Sequence, residues 1–164
     1  MQGAVTRLER YVDCVRNIEN MESIEIERCP VNVPMLLDEI RSNVQRLEAK
    51  KEILISSDVT MQEIRLDKGV FFRILENLLQ NALRYAEKQV RVDISQKEEF
   101  FILTVEDDGK GFAPEDLENA AKVFYSSDKN GQHFGIGLSI CSILCGKNGG
   151  MLDVSNTKKG ACVT

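Results

Sequence analysis

Hydrophobic positions along this chain change period several times. Val5, Leu8, Val12 and Val15 recur at steps of three, four and three among the helix formers Leu8, Glu9, Arg10 and Arg16, which predicts a helix over residues 4 to about 22. Its apolar stripe is narrow, as in a helix that pairs with another. IERCPVNVP then reads as an extended connection, because Pro30 and Pro34 disfavour helix in the residues before them. The boundary between a helical appendage and the main domain falls there. Leu36, Leu37, Ile40, Val44 and Leu47 predict a second helix from 35 to about 51, ILIS at 53–56 a short strand, and VTMQEIRLD a further one.

The clearest helix is 68–86. Phe71, Ile74, Leu75, Leu78, Leu79, Ala82, Leu83 and Ala86 fill one face, and Arg73, Asn77, Gln80, Asn81 and Arg84 the other. QVRVDISQ and FFILTVED follow as two strands; Val90, Val92 and Ile94 alternate, and the short KEE between them predicts an antiparallel hairpin. Pro114 opens a short acidic helix, PEDLENAAKVF, followed by a polar loop, YSSDKNGQH, and an apolar helix, GIGLSICSILCGK. MLDVSNTKKGACVT supplies a last strand pair around KKG, and the sequence ends inside the second strand, read as a short edge strand or one cut off by the end of the sequence. Runs of helix and strand that do not alternate strictly predict an α+β two-layer sandwich, a mixed sheet with helices on one face, and not a doubly wound parallel sheet.

Composition narrows the function classes. The chain has 164 residues, 43% of them hydrophobic, enough for one good core and a helical appendage. A net charge of -5 with no basic run gives no electrostatic reason to expect nucleic acid. Cys14, Cys29, Cys141, Cys145 and Cys162 are odd in number and lack zinc-ribbon spacing, and there is no secretory signal or long apolar span, so the sequence reads as cytoplasmic and reduced, without membrane contact. Cys141 and Cys145 read as small buried hydrophobes.

Three constellations carry candidate chemistry. Asn77 and Asn81, four residues apart, point the same way off their helix, with Arg73 and Arg84 about a turn to either side. Taken alone they read as a solvated polar face, yet an amide oxygen is also a neutral hard ligand for Mg²⁺, and the arginines can meet phosphate oxygens. A hydrophobic strand delivers Asp107 and Asp108 to DDGKG, where Gly109 and Gly111 permit close approach. Alone this reads as a polar turn; as a site, its carboxylate can accept from an exocyclic amino group. Gly135 and Gly137 open an apolar helix whose first amides have no internal partners and attract anions. The chain holds no complete GxGxxG, no P-loop, no calcium loop and no eukaryotic protein-kinase set.

The order of these elements resembles the catalytic ATP-binding domain of bacterial sensor histidine kinases, a branch of the ATPase superfamily shared with gyrase, mismatch-repair and heat-shock chaperone ATPases. The resemblance covers nearly the whole chain. ENLLQNALRYA resembles the N box and implies that Asn81 coordinates Mg²⁺, that Asn77 holds the matching earlier position, and that Arg84 and Tyr85 contact the phosphates and nucleotide. In hydrolysing relatives a water-activating glutamate stands where Asn77 stands, so the resemblance implies a site that keeps ATP for transfer. DDGKG resembles the DxGxG box, in which Asp107 reads the adenine amino group while Gly109 and Gly111 shape the loop. FGIGLSI resembles the second glycine box and implies phosphate contacts from Gly135, Ile136, Gly137 and Leu138.

The chain departs from the family around its lid. His133 replaces a glycine, Ala121 the first phenylalanine of the box that includes Phe124 and Tyr125, and Ser126 the arginine after it; Lys129 is a substitute phosphate contact or a solvated loop lysine. The resemblance implies that residues 1–29 are the end of a dimerisation helix with its connection and that 30–164 are the ATP-binding domain. His133, the only histidine, falls in the lid, so no phosphoacceptor is expected here and no autophosphorylation by these residues alone. The expected function is binding Mg-ATP and donating the γ-phosphoryl group to a histidine elsewhere, within a membrane-anchored sensor that has a response regulator. The alternatives are a degenerate nucleotide-binding module without transfer and a hydrolysing ATPase.

Overall fold

In the computed structural model, which describes residues 2–47, 50–119 and 136–164, the chain runs α1 (Gln2–Ser23), β1 (Cys29–Asn32), α2 (Val33–Gln45), β2 (Glu52–Asp58), β3 (Glu63–Leu66), α3 (Lys68–Tyr85), β4 (Gln89–Lys97), β5 (Phe100–Asp107), α4 (Pro114–Leu117), α5 (Ile136–Lys147), β6 (Val154–Asn156) and β7 (Ala161–Val163). Five strands form one mixed sheet in the order β2-β4-β5-β7-β6, with β2 parallel to β4 and the other pairs antiparallel. The last strand is therefore not at the edge, as expected from the sequence. It lies between β5 and β6, where Val163 pairs with Val105 on one side and Val154 on the other.

Two local rules act differently from the sequence reading. The stretch read as a connection contains β1, which pairs antiparallel with β3 in a separate two-stranded ribbon. Pro30 is tolerated there because a two-stranded ribbon leaves each strand one open edge. Pro34 sits inside the first turn of α2, where a missing N–H costs nothing, and Asn32 caps the helix by accepting from the Met35 N–H at 3.0 Å. The helix expected from 35 thus starts two residues earlier, and it stops at Gln45.

The sheet buries one face. Val90, Val92 and Ile94 of β4 are buried, while Arg91 and Asp93 between them point to the half-exposed side. That outer side carries polar pairs, Gln89 with Glu52, Ser56 with Asp93 and Thr104 with Thr164. The inner side meets α2 and α3, so the helices cover one face as predicted. An isolated helix of the length of α3 is marginal in water. What holds it is the burial of Val70, Phe71, Ile74, Leu75, Leu78, Leu79 and Ala82, the larger of them worth about 1.5–3 kcal/mol each.

Both ends of α3 are fixed. At its start, Asp67 accepts from the Val70 N–H at 3.1 Å. At its end, Lys51 Nζ donates to Leu83 O at 2.6 Å and to Ala86 O, a cation on the negative end of the helix. α5 lies antiparallel on α3. Asn148 Oδ1, just past α5, accepts from the Asp67 N–H at 3.0 Å, and seven residues earlier Cys141 Sγ donates to Ile74 O at 3.8 Å. Cys141 is fully buried, and desolvation pushes its thiol up to about 12 and that of half-buried Cys145 to about 11. Both behave as hydrophobes, as expected. Among the described residues no helix is long and apolar enough to cross a membrane.

Candidate functional site

The antiparallel register sets where the helix N-terminus falls. With 148 opposite 67 and 141 opposite 74, continuing the same step places 137 and 138 level with 78 and 77. The first turn of α5, with Ile136, Gly137 and Leu138, therefore lies level with the turn of α3 that carries Asn77, with Asn81 one turn further along α3. Leu138 is buried in the core, so its contribution to a ligand is its backbone N–H. Among the described residues a side chain on Gly137 would meet nothing within 4 Å, so their packing does not demand glycine there. Gly135 and the lid residues Ala121, Phe124, Tyr125, Ser126, Lys129 and His133 lie outside the described residues, as does the side chain of Ile136.

On α3, Asn77 and Asn81 are half-buried, while Arg73, Arg84 and Tyr85 are exposed. Asn77 Nδ2 donates back to Arg73 O at 2.9 Å, and its oxygen accepts from no described residue. Asn81 makes no side-chain hydrogen bond to a described residue. The described ion pairs, Arg41 with Asp38 and Lys68 with Glu39, involve neither Arg73 nor Arg84. This face thus offers two amide oxygens and two guanidinium groups with no ion-pair partner among the described residues. Among the described residues no three His, Cys, Asp or Glu side chains converge as a metal site. An amide oxygen of the kind Asn77 and Asn81 offer suits a hard cation such as Mg²⁺.

The loop after β5 closes against the end of α3. Asp107 is 5% exposed, and its carboxylate accepts from the Gly109 N–H at 2.8 Å. Burial raises its pKa above the usual 3.8; the Gly109 and Ala161 backbone amides oppose that, and the charges of Asp108 and Glu106 add to it. A carboxylate has about four acceptor positions, so after the Gly109 bond it can still receive an amino group. Gly109 is required by close approach: a Cβ there would stand 2.2 Å from Tyr85 O. Gly111 has φ +73, the left-handed region, and a Cβ would stand 2.7 Å from Asn156 Oδ1.

Three features of this loop were not legible from spacing. Asp108 turns away from Asp107 and accepts from the backbone N–H groups of Glu87, Lys88 and Gln89 at 2.8, 3.0 and 3.1 Å, locking the α3–β4 turn. Gly160, expected only as a turn residue, allows β7 to pass under the loop, since a Cβ would stand 2.3 Å from Asp107 O. Asn156 bonds the backbone of Phe112. The doubled aspartate gave no hint of two roles, because their separation comes from the end of β5.

Asp108 yields a pH prediction. The Lys88, Gln89 and Glu87 amides hold its carboxyl below 3.8, so its stabilising contribution is present above the unfolded value of 3.8 and is lost as pH falls through the lower folded value. Unfolding midpoints of the wild type and D108N should differ at pH 7 and converge below pH 3.8. A gap of constant size down to pH 2 would contradict this role.

The model of the histidine kinase-, DNA gyrase B- and HSP90-like ATPases matches residues 67–164, well over half of the chain and the whole of the site just described. The chain belongs to this ATPase family. It is similar to sensor histidine kinase SpaK of Bacillus subtilis, with 27% identity over 168 residues, 96% of this chain and 36% of that protein. It is also similar to sensor protein RstB of Escherichia coli (strain K12), with 29% identity over 140 residues, 83% of this chain and 32% of RstB. The chain thus spans about a third of the length of these relatives. In fold it matches full-length ShkA, solved in complex with AMPPNP, with TM-score 0.74 and 23% identity over 94% of this chain and 34% of that one. The matched residues include α3, the 107–112 loop and α5 on one α+β scaffold.

Proposed function

We propose that this ATPase-family chain is the Mg-ATP-binding catalytic part of a sensor histidine kinase. Asp107 accepts from the adenine amino group, and Gly109 and Gly111 let the backbone fold around the base. Arg84 and Tyr85 meet the nucleotide and its phosphates, together with the amides of Gly135, Ile136, Gly137 and Leu138. Asn81, with Asn77 beside it, would hold the Mg²⁺, which supplies neutralisation of phosphate charge. The observation that carries this reading is the antiparallel register of α5 on α3, which brings a helix N-terminus to the amide face.

Residues 30–164 form the catalytic unit in this reading, and 1–29 are the end of a dimerisation helix with its connection. The acceptor is a histidine outside these 164 residues, on the dimerisation helices of the same kinase, which in turn serves a response regulator. Its imidazole nitrogen attacks the γ-phosphorus, the bond to the β–γ bridging oxygen breaks, and ADP leaves with that electron pair. The protein contributes alignment and charge stabilisation. Asn77 has no basic group with which to activate water, so hydrolysis is slow.

The test supplies the histidine-bearing helix pair of the full-length kinase and Mg-ATP labelled at the γ position. Acid-labile label on the helices that is lost with N81D supports the assignment. Nucleotide binding with no transfer would leave a nucleotide-holding module, and steady release of phosphate would favour a hydrolase.

A further inference from the structure

We propose that Asn156, at the end of β6, is a positioning residue for base recognition: its side-chain amide holds the 107–112 loop in the shape that presents Asp107. The inference rests on the reading that Asp107 receives the adenine amino group. Asn156 Oδ1 accepts from the Phe112 N–H at 2.7 Å, and its Nδ2 donates to Phe112 O at 2.7 Å. One primary amide therefore satisfies both backbone groups of a single loop residue, as a neighbouring strand would. The same side chain lies against Gly111, whose φ of +73 turns the loop toward it.

The two ends of the loop are held differently. Its start is fixed by the pairing of β5, by the Gly109 N–H on Asp107 and by the bonds of Asp108 to the α3–β4 turn. Beneath it runs the β6–β7 hairpin, in which a Cβ on Gly160 would stand 2.9 Å from both Gly109 N and Gly109 O. Past Gly109, the hydrogen bonds from described residues that fix the loop backbone before Ala113 are the two from Asn156. Without them the loop samples other shapes, and apparent affinity falls by the fraction of time the base-reading shape is lost. Asn156 itself touches no nucleotide in this account.

The experiment measures Kd for Mg-ATP and Mg-GTP, with thermal midpoints, for the wild type, D107N, N156A and N156D. N156A should bind Mg-ATP about tenfold more weakly, the effect of losing two backbone hydrogen bonds, and should narrow the ATP-over-GTP ratio. N156D places a carboxylate against Phe112 O at neutral pH and should be as weak. Once protonated, that carboxyl offers one donor and one acceptor like the amide, so affinity should recover on acidification. Taking the N156D to N156A ratio at each pH cancels the titration of the nucleotide and of the groups that both variants share. Global destabilisation would not give acid rescue.

If D107N binds like the wild type, the adenine reading fails. If D107N is weak while N156A keeps wild-type affinity and discrimination, the role of Asn156 alone fails. Weak binding by N156A with an unchanged ATP-over-GTP ratio and no acid rescue in N156D also overturns it. Should N156A not fold, N156D compared across pH carries the test.

Discussion

Replacing Gly109 with alanine should lower stability by about 3 kcal/mol, the upper range for overpacking a site that cannot relax, and should abolish nucleotide binding. The added methyl would stand 2.2 Å from Tyr85 O and 2.8 Å from Asp107 Oδ1. The first obstacle is backbone at the end of a helix whose carbonyls are also held by Lys51, so it cannot swing aside. The second is the carboxylate proposed to read the base. Relief requires moving the loop or unwinding the last turn of α3, and that turn carries Arg84 and Tyr85. Urea unfolding and a Mg-ATP titration on G109A check both parts. G137A is the control: its methyl meets nothing within 4 Å, so stability should be kept or slightly raised by the better helix former.

Asp107→Asn should separate binding from folding. The Asp107 carboxylate accepts from the Gly109 N–H and still has acceptor capacity. An amide has one oxygen. If that oxygen stays with the Gly109 N–H, the new NH₂ faces the adenine NH₂, donor against donor. The loss should be about 2 kcal/mol, a roughly thirtyfold rise in Kd. Stability should move the other way. Burial raises the folded pKa of Asp107 above 3.8, so the carboxyl's favourable contribution is complete below 3.8 and is lost as pH rises through the folded value. At neutral pH the fold bears the cost of a buried charge that asparagine lacks. D107N should therefore unfold no earlier than the wild type at pH 7 while binding Mg-ATP poorly. Loss of both together would mean that Asp107 acts chiefly in folding.

Much of this was readable from the sequence because period carries burial. The stripe of α3 and the alternation of β4 are buried as written, and the two-layer mixed sheet follows from them. The pairing of β1 with β3 was not readable, since CPVN and EIRL are too short to show a period and a proline masked the first. Pro34 departs from the rule for residues before proline for a different reason: the N-cap Asn32 makes proline favourable in a first turn. At the candidate site, residue types singled out Asn77, Asn81, Asp107, Gly109 and Gly111. They could not give Gly160, Asn156 or Asp108, whose roles depend on a hairpin and a turn that pass the loop only in the folded chain.

The central claim is that the polar face of α3, the 107–112 loop and the first turn of α5 form one nucleotide site. Amide hydrogen exchange with and without saturating Mg-ATP tests it residue by residue. The account predicts added protection in three segments, 77–85, 107–112 and 136–138, with the outer face of the sheet and the groove lined by Arg41, Val44 and Lys51 unchanged. Protection in that groove with none in the three segments, or no change anywhere at saturating nucleotide, would contradict it.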